Sequence, residues 1–423
     1  MQFVIQTGGE GTRLKKITKG QSKSLVKILN KTIIDFQIKN ILKFNSKKII
    51  ILNNKKYEKF ESILKKKYKN IFRFFNESKK LGTGGSLFSL NNIKEEYFIM
   101  LYGDLVLNFD FKIFFRFHKR KKSDLTIVTH PNTHPFDSDL VITDKNARVI
   151  KFFNKPHTQK NIGNSSLAGI FAFNKKILNV IKENKYQDFS KHIIPTLLKK
   201  KLKIYSYYSR EYIKDAGTIN RIKEVEKDIK SKKFYKLNLQ NKLPAIFLDK
   251  DGVLNKQIDK KHYQNVKEVY PNSAKAIKII NDNNYLTVLV TNQPAIAKGL
   301  VKENKVLKDF RYLETYFGSR GCFIDKIYYC PCHPEKGFQG EVKKYKRNCN
   351  WRKPNNGMIK HAVKELNIDL NKSLMIGDRN EDFLAAKKSG IQFYMIGSKI
   401  KSKKIKKFKN LHSAVKYFFS LKK

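Results

Sequence analysis

The chain has 423 residues, enough for two or three domains with buried cores, and its hydrophobic content of 40% is ordinary for a soluble globular protein. No apolar run approaches the length of a membrane span, and the apolar part of the N-terminus is too short for a signal peptide. Four cysteines in a chain of this length do not make a disulfide framework. The composition argues against a membrane protein and a disulfide-stapled secreted domain, and it predicts a cytoplasmic protein.

The charge is unusual, because 89 Lys and Arg against 36 Asp and Glu give a net charge of +53. Such a balance would ordinarily indicate a nucleic-acid or anionic-membrane partner. However, the lysines are spread over every segment, and Asn, Ile, Phe and Tyr, whose codons are also A/T-rich, are abundant. We therefore attribute the charge to genome composition and predict no specific nucleic-acid partner. The positive field is still expected to attract small phosphorylated substrates.

The first motif is a glycine-rich loop after a short apolar strand at Phe3–Gln6. The loop reads GGEGTRL at 8–14. Its glycines allow backbone N–H groups to approach phosphate oxygens, and Arg13 can add a forked, charge-assisted contact. Its spacing is neither that of a Walker loop nor that of a dinucleotide-binding fingerprint. Lys23 follows, shortly before a segment with helical apolar spacing.

Strand-like runs at 47–53, 71–75 and 97–104 then alternate with helical segments. Gly82 lies in the sequence LGTGG, and Asp104 ends the last of these strands. This alternation predicts an α/β fold with a mostly parallel sheet and ligands at the carboxyl ends of its strands.

Together these motifs resemble the sugar-1-phosphate nucleotidyltransferases, in particular heptose 1-phosphate guanylyltransferases. The glycine-rich loop is intact, and Gly103-Asp104 matches the Gly-Asp metal site of that family. Ser22-Lys23-Ser24 stands where the family has Pro-Lys-Pro, and Asn154-Lys155-Pro156 where it has Glu-Lys-Pro. Asp215 matches the second metal carboxylate.

The resemblance implies a role for each matching residue. Arg13 and Lys23 would neutralise the triphosphate, Lys155 would anchor the attacking sugar phosphate, and Asp104 and Asp215 would hold Mg²⁺. The remaining nucleotide-binding positions would be Gly8, Gly9, Gly11, Thr12 and Gly82.

The polar segment 236–243 is predicted to link a first domain at 1–235 to a second at 244–423. The second domain opens with an apolar run that leads to Asp249, and Asp251 follows two positions later. Carboxylates spaced i, i+2 project to one side of an extended segment, where they can bind a divalent cation and share acid–base work. The same DxDG pattern occurs in calcium loops, but the apolar run before it and the lack of a closing Glu disfavour that interpretation.

This pattern, with the later segments Thr291-Asn292, Arg352-Lys353 and Gly377-Asp378, resembles the haloacid dehalogenase phosphohydrolases. The resemblance implies that Asp249 is the nucleophile and Asp251 the acid–base. The phosphate would be bound by Thr291, Asn292, Arg352 and Lys353. Mg²⁺ would lie between Asp249, Asp378 and the backbone carbonyl of Asp251, with support from Asp382.

Three cysteines, Cys330, Cys332 and Cys349, are spaced like metal ligands. Their segment resembles the zinc loop of the heptose-bisphosphate and histidinol-phosphate phosphatases. Cys332 takes the position of a family His, and Trp351 replaces the family's last Cys. The resemblance implies a structural Zn²⁺ with His333 as a candidate fourth ligand, and the alternative is a loop that has lost its metal.

The two domains together predict a bifunctional enzyme of nucleotide-sugar synthesis for surface glycans. A Rossmannoid C-terminal domain would remove the 7-phosphate of D-glycero-D-manno-heptose 1,7-bisphosphate. A Rossmann-like N-terminal domain with a mixed, mostly parallel sheet would then join the heptose 1-phosphate to a nucleotide. By analogy the nucleotide is GTP with the α-anomer or ATP with the β-anomer, and the guanylyltransferase resemblance favours GTP. The alternatives are a different sugar, a histidinol-phosphate activity, or a non-catalytic first domain. The oligomeric state is not predicted.

Overall fold

The computed structural model describes residues 1–9, 11–44, 48–69, 71–256, 268–398 and 405–422. Glu10 of the predicted phosphate loop and Lys47 of a predicted strand lie outside the described residues. The chain forms two compact units. Unit 1 comprises Met1–His130, Ser138–His157 and Ser165–Leu239, and unit 2 comprises Pro131–Asp137, Thr158–Asn164 and Gln240–Lys423.

Unit 1 is an α/β unit. Its strands are β1 (Gln2–Gln6), β2 (Lys27–Ile28), β3 (Lys31–Thr32), β4 (Ile49–Asn54), β5 (Phe72–Glu77), β6 (Tyr97–Tyr102), β7 (Leu105–Asn108), β8 (Leu125–His130), β9 (Leu140–Thr143), β10 (Val149–Phe153), β11 (Ser166–Asn174), β12 (Ile204–Tyr208) and β13 (Tyr212–Asp215). Its helices are α1 (Lys15–Thr18), α2 (Ile33–Leu42), α3 (Glu58–Tyr68), α4 (Gly82–Gly85), α5 (Phe111–Arg120), α6 (Ile194–Lys199), α7 (Ile219–Lys230) and α8 (Lys233–Lys236).

The centre of the unit 1 sheet is parallel, with the order β5-β4-β1-β6, and antiparallel β11 continues it beyond β6. All of β1 is buried, with Phe3 and Ile5 in one hydrophobic core and Val4 in the other. This alternation shows that both faces of the sheet are covered. The strand order reverses between β1 and β6, which places a crevice beyond their carboxyl ends.

Unit 2 is built around a fully parallel sheet. Its strands are β14 (Ala245–Leu248), β15 (Leu286–Asn292), β16 (Lys326–Cys330), β17 (Leu374–Gly377), β18 (Gln392–Ile396) and β19 (Lys406–Phe408). Its helices are α9 (Ser273–Asp282), α10 (Pro294–Ala297), α11 (Glu303–Gly318), α12 (Gly357–Leu366), α13 (Asn380–Lys388) and α14 (Leu411–Ser420). The strand order β16-β15-β14-β17-β18-β19 is that of a doubly wound fold, and it reverses between β14 and β17.

The predicted class, two α/β units with a mixed sheet in the first and a Rossmannoid sheet in the second, is confirmed. Over the residues described, no helix combines the length and apolarity needed to cross a membrane.

Candidate active sites

The unit 1 site begins where the loop after β1 meets Lys23. A Cβ atom built on Gly9 would lie 3.5 Å from Lys23 Cε, so the loop backbone rests directly on this side chain. Lys23 Nζ lies 2.5 Å from Asp104 Oδ2, just beyond the end of β6. The structure therefore brings the predicted phosphate loop, lysine and metal carboxylate to the crevice between β1 and β6.

The two serines that flank Lys23 are buried and tie its turn to the neighbouring strand ends. Ser24 Oγ donates a hydrogen bond to the Gly103 carbonyl at 2.6 Å. Ser22 Oγ accepts one from the Ser24 N–H at 3.4 Å and donates one to the Thr7 carbonyl at 3.5 Å. The hydroxyl groups thus fix a turn that lacks both family prolines.

Asp104, Asp215 and Arg13 converge on one point next to Gly217. The Cβ that Gly217 lacks would lie 3.3 Å from Arg13 Nη2, 3.3 Å from Asp215 Oδ1 and 3.5 Å from Asp104 Oδ2. Antiparallel pairing of β7 with β13 creates this arrangement, because it sets Asp215 opposite Leu105. The cradle between two carboxylates offers oxygen ligands of the kind that Mg²⁺ prefers, so the residues fit the predicted ion.

Cations already neutralise both carboxylates. Burial by itself raises the pKa of Asp104, but Lys23 and Arg13 outweigh burial, and the pKa is lowered. Arg221 Nη1 pairs with the carboxylate of Asp215. Asp104 is therefore held in the charged form that a metal ligand requires.

The other predicted unit 1 residues are distributed more widely. Gly8 and Gly11 lie in the same loop, and Thr12 begins a 3₁₀ turn with an exposed side chain. Gly82 has φ +76°, and a Cβ there would lie 2.6 Å from the Gln187 carbonyl, so this position requires glycine.

Lys155 is exposed, and its backbone N–H donates to Asp139 Oδ1 at 3.0 Å. Within the described ranges, no hydrogen bond or ion pair joins its ammonium group to Asp104 or Asp215.

The unit 2 site is a buried cluster of three carboxylates and one lysine. Asp249, Asp378 and Asp382 each have a carboxylate oxygen within 4.8 Å of the others. Lys353 Nζ lies 2.8 Å from Asp249 Oδ1 and 2.5 Å from Asp382 Oδ1. Because Asp249 follows β14 and Asp378 follows β17, the cluster occupies the point where the strand order reverses.

Burial and charge act against each other in this cluster. Burial raises the pKa of Asp249 to about 6, although Lys353 opposes that rise. Burial by itself lowers the pKa of Lys353, but Asp249 and Asp382 outweigh it and the pKa is raised. The concentration of carboxylate oxygens fits a hard divalent cation such as Mg²⁺.

Asp382 also holds the backbone at the start of α13. Its Oδ2 accepts the N–H groups of Asp378 and Arg379 at 3.2 and 3.1 Å. One carboxylate therefore links the N-terminus of the helix to Lys353, a closer involvement than the supporting role expected from the sequence.

The remaining predicted phosphate-binding residues surround Lys353. Asn292 Oδ1 accepts the Lys353 N–H at 3.0 Å, and Asn292 Nδ2 donates to the Lys353 carbonyl at 3.0 Å. Thr291 is buried at the end of β15. Arg352 Nη1 donates to the Cys332 carbonyl at 3.1 Å and so contacts the cysteine loop.

Asp251 lies outside the carboxylate cluster, and its side chain accepts hydrogen bonds from Lys250, Asn255 and Gln293. The sequence did not predict that these three residues donate hydrogen bonds to Asp251. Their signal was weak, because Lys250 and Gln293 merely adjoin motif residues and Asn255 lies four positions after Asp251.

The three cysteines Cys330, Cys332 and Cys349 form a second potential metal cluster, with sulfur atoms within 4.8 Å of one another. Burial raises the pKa of Cys330. In Cys349, hydrogen bonds from the Trp351 N–H and the neighbouring thiols outweigh burial and lower the pKa. Thiolate sulfur is a favoured zinc ligand, so the donor set fits Zn²⁺ through three ligands.

The side chains of His333 and Trp351 pack against other aromatic rings. The His333 ring packs against Phe338 with centroids 5.9 Å apart, and Trp351 packs against His361 at 5.0 Å. The structure thus does not bring the candidate fourth ligand, His333, together with the three thiols in the part of the chain that it describes.

Two family models match the chain. Residues 2–232 match the family described as nucleotidyl transferase, and residues 350–415 match the one described as HAD-hydrolase-like. The fold and both sites therefore define a nucleotidyl transferase unit joined to a phosphohydrolase unit of the haloacid dehalogenase type.

Two phosphatases and one solved structure are similar to parts of this chain. A D-glycero-beta-D-manno-heptose-1,7-bisphosphate 7-phosphatase from Pasteurella multocida is 42% identical over 148 residues, covering 35% of this chain and 78% of the relative. A D-glycero-alpha-D-manno-heptose-1,7-bisphosphate 7-phosphatase from Photorhabdus laumondii is 34% identical over 155 residues, covering 36% and 80%. The crystal structure of HddC from Yersinia pseudotuberculosis matches with 23% identity and a TM-score of 0.46, over 54% of this chain and 99% of that one.

The chain belongs to the nucleotidyl transferase family and, through its second unit, to the heptose-bisphosphate phosphatase family. The predicted resemblances to the nucleotidyltransferases and to the heptose-bisphosphate phosphatases are confirmed.

Substitution of Gly252 tests the close packing in the unit 2 cluster. Gly252 has φ +88°, and a Cβ there would lie 2.6 Å from Asp378 Oδ2. Gly252→Ala should displace Asp378 and lower phosphatase kcat/KM by about 100-fold, the usual cost of misplacing a catalytic group by an ångström.

Gly390→Ala is the matched control, because Gly390 has φ +67° but a Cβ there would meet nothing within 4 Å. The positive φ should cost each variant about 1–2 kcal/mol of stability in thermal or urea unfolding, and the contact with Asp378 should add to the loss in Gly252→Ala. Equal activity in the two variants would contradict the packing argument.

Proposed function

We propose that unit 2 is a phosphatase that acts through an aspartyl-phosphate. This proposal rests on the position of Lys353 between Asp249 and Asp382. Asp378 lies in the same cluster, at the point where the strand order reverses. A cation placed beside the attacking carboxylate can stabilise the charge of a phosphoryl group during its transfer.

The reaction has two steps. In the first, the Asp249 carboxylate forms a bond to phosphorus as the bond to the sugar oxygen breaks, and Asp251 gives that oxygen its proton. In the second, Asp251 takes a proton from water as the water oxygen attacks phosphorus and releases Asp249. Lys353 neutralises charge throughout, and Mg²⁺ held by Asp249 and Asp378 would add positive charge at the phosphate when bound.

The proposed substrate is D-glycero-D-manno-heptose 1,7-bisphosphate, which would lose its 7-phosphate. This assignment rests on the heptose-bisphosphate phosphatases, which are similar to this chain over most of their own length. Unit 1 would then transfer a nucleotidyl group to heptose 1-phosphate. Arg13 and Lys23 would neutralise the triphosphate, and Asp104 and Asp215 would hold Mg²⁺. The reaction would take place in the cytoplasm on small-molecule substrates.

We propose GTP as the nucleotide, because the unit 1 motifs resemble those of the guanylyltransferases. The second candidate is ATP with the β-anomer. It is supported by the higher identity to a β-anomer phosphatase, 42% against 34% for the α-anomer relative.

For the phosphatase, Asp249→Asn should abolish Mg²⁺-dependent phosphate release from the 7-position, because the amide is not a nucleophile. Phosphate release from each anomer of the bisphosphate measures this effect. Asp282→Asn, an exposed change on α9 in the same unit, serves as the control and should behave as wild type. Wild-type release by a folded Asp249→Asn protein would refute the mechanism.

For the transferase, Asp104→Ala should abolish pyrophosphate release from NTP and heptose 1-phosphate while the phosphatase stays active. Asp249→Asn should show the reverse pattern when heptose 1-phosphate is supplied directly, so each variant controls for the other. Offering each NTP with each anomer to the wild-type protein identifies the nucleotide sugar by mass spectrometry. No pyrophosphate release with any pair would support a non-catalytic first unit.

We further propose that Cys330, Cys332 and Cys349 bind one Zn²⁺ whose fourth position is not filled by a protein thiolate. Such a site should exchange metal more readily than a four-ligand structural site. The alternative is a loop that binds no metal.

Trp351→Cys puts a thiol at the position of the family's last Cys, and if that thiol joins the cluster, the loss of zinc to a chromogenic chelator should become slower. Cys330→Ser should lower the zinc content measured by elemental analysis, whereas Cys322→Ser, outside the cluster, should not. Absence of zinc from wild-type protein purified without added metal would favour the alternative.

A further inference from the structure

Three side chains hold the carboxylate of Asp251. Its Oδ1 accepts hydrogen bonds from Lys250 Nζ at 2.5 Å and from Asn255 Nδ2 at 2.8 Å. Its Oδ2 accepts one from Gln293 Nε2 at 3.2 Å. A carboxylate oxygen has about two lone-pair directions, so Oδ1 is saturated while Oδ2 keeps one direction open.

Lys250 is the most unusual of these donors. Its side chain is 0% exposed, and its Nζ lies 2.5 Å from Asp251 Oδ1. A buried ammonium group without a counter-charge is strongly unfavourable, so the ion pair with Asp251 is needed to keep Lys250 in this position. The reverse also holds, because the rigid burial of Lys250 fixes the position of Oδ1.

Gln293 restrains the other oxygen. Its Nε2 also donates to Thr291 Oγ1 at 3.1 Å, so both amide hydrogens are used. Its backbone N–H donates to the Cys330 carbonyl at 2.8 Å, which fixes the residue at the ends of β15 and β16. Gln293 is 3% exposed, so its side chain has little freedom to turn.

We propose that Lys250, Asn255 and Gln293 are positioning residues that orient Asp251, with Oδ1 as the anchored oxygen and Oδ2 as the oxygen that carries the proton. This inference rests on the proposed phosphatase function. In the first step the proton leaves Oδ2 for the sugar oxygen as the phosphorus–oxygen bond to the sugar breaks. In the second step Oδ2 receives a proton from the attacking water.

The test compares two leaving groups. A sugar alkoxide needs a proton to leave, whereas p-nitrophenolate is stable as an anion and does not. In Lys250→Met, first-turnover release of the sugar product from the bisphosphate should fall by about 100-fold or more, within the usual range for a lost general acid. The first-turnover burst of p-nitrophenolate should stay close to that of wild type.

Three further variants complete the comparison. Lys250→Arg keeps the cation and should recover most of the sugar rate. Lys278→Met, which removes an exposed lysine from α9, should match wild type with both substrates. Gln293→Leu keeps the ion pair of Lys250 with Asp251, so this variant should fold more readily than Lys250→Met. It should show the same preference for the p-nitrophenolate leaving group to a smaller degree.

Asp251→Asn separates the acid role of Asp251 from the positioning of its carboxylate. If it shows no leaving-group selectivity, the acid role of Asp251 fails and the positioning proposal fails with it. If Asp251→Asn is selective but folded Lys250→Met and Gln293→Leu slow both substrates equally, only the positioning proposal is overturned.

Discussion

The unit 2 site depends on the burial of one ammonium group among three carboxylates. Asp249, Asp378 and Asp382 lie within 4.8 Å of one another, and burial strengthens their mutual repulsion. Lys353 contacts two of them and supplies the positive charge that allows the cluster to exist in the folded chain. Since removal of one partner from a buried ion pair is strongly destabilising, Lys353 has a structural role besides the chemical one proposed for it.

Both units gather charged side chains at the carboxyl ends of their strands, although their sheets differ. In each, the strand order reverses beside the first strand, and the carboxyl ends of two parallel neighbours open onto a crevice. In each, a loop lysine reaches an aspartate that follows such a strand: Lys23 pairs with Asp104, and Lys353 pairs with Asp249. Each lysine neutralises its carboxylate, which would reduce the repulsion of a phosphate in the proposed reactions.

The sequence was informative where function depends on local position along the chain. Asp104, Asp249 and Asp378 each follow an apolar strand, so their arrival at a sheet edge could be predicted from hydrophobic pattern alone. Other features depend on packing between distant segments. The burial of Lys250 against Asp251, and the separation of His333 from the thiols, required the folded chain. The same holds for the membership of Pro131–Asp137 and Thr158–Asn164 in unit 2, since no local pattern distinguishes these segments from neighbouring loops.

The serines around Lys23 show how a departure from a family pattern can be compensated. A proline fixes its own φ and so restricts the backbone before any tertiary contact forms. Ser22 and Ser24 lack that restriction, but their buried hydroxyl groups donate hydrogen bonds to the carbonyls of Thr7 and Gly103, which directly follow strands β1 and β6. The turn is therefore fixed by the same two strand ends that form the crevice. Loss of the prolines is thus compatible with a correctly placed Lys23, because the constraint has moved from the backbone of the turn to its hydrogen bonds with the sheet.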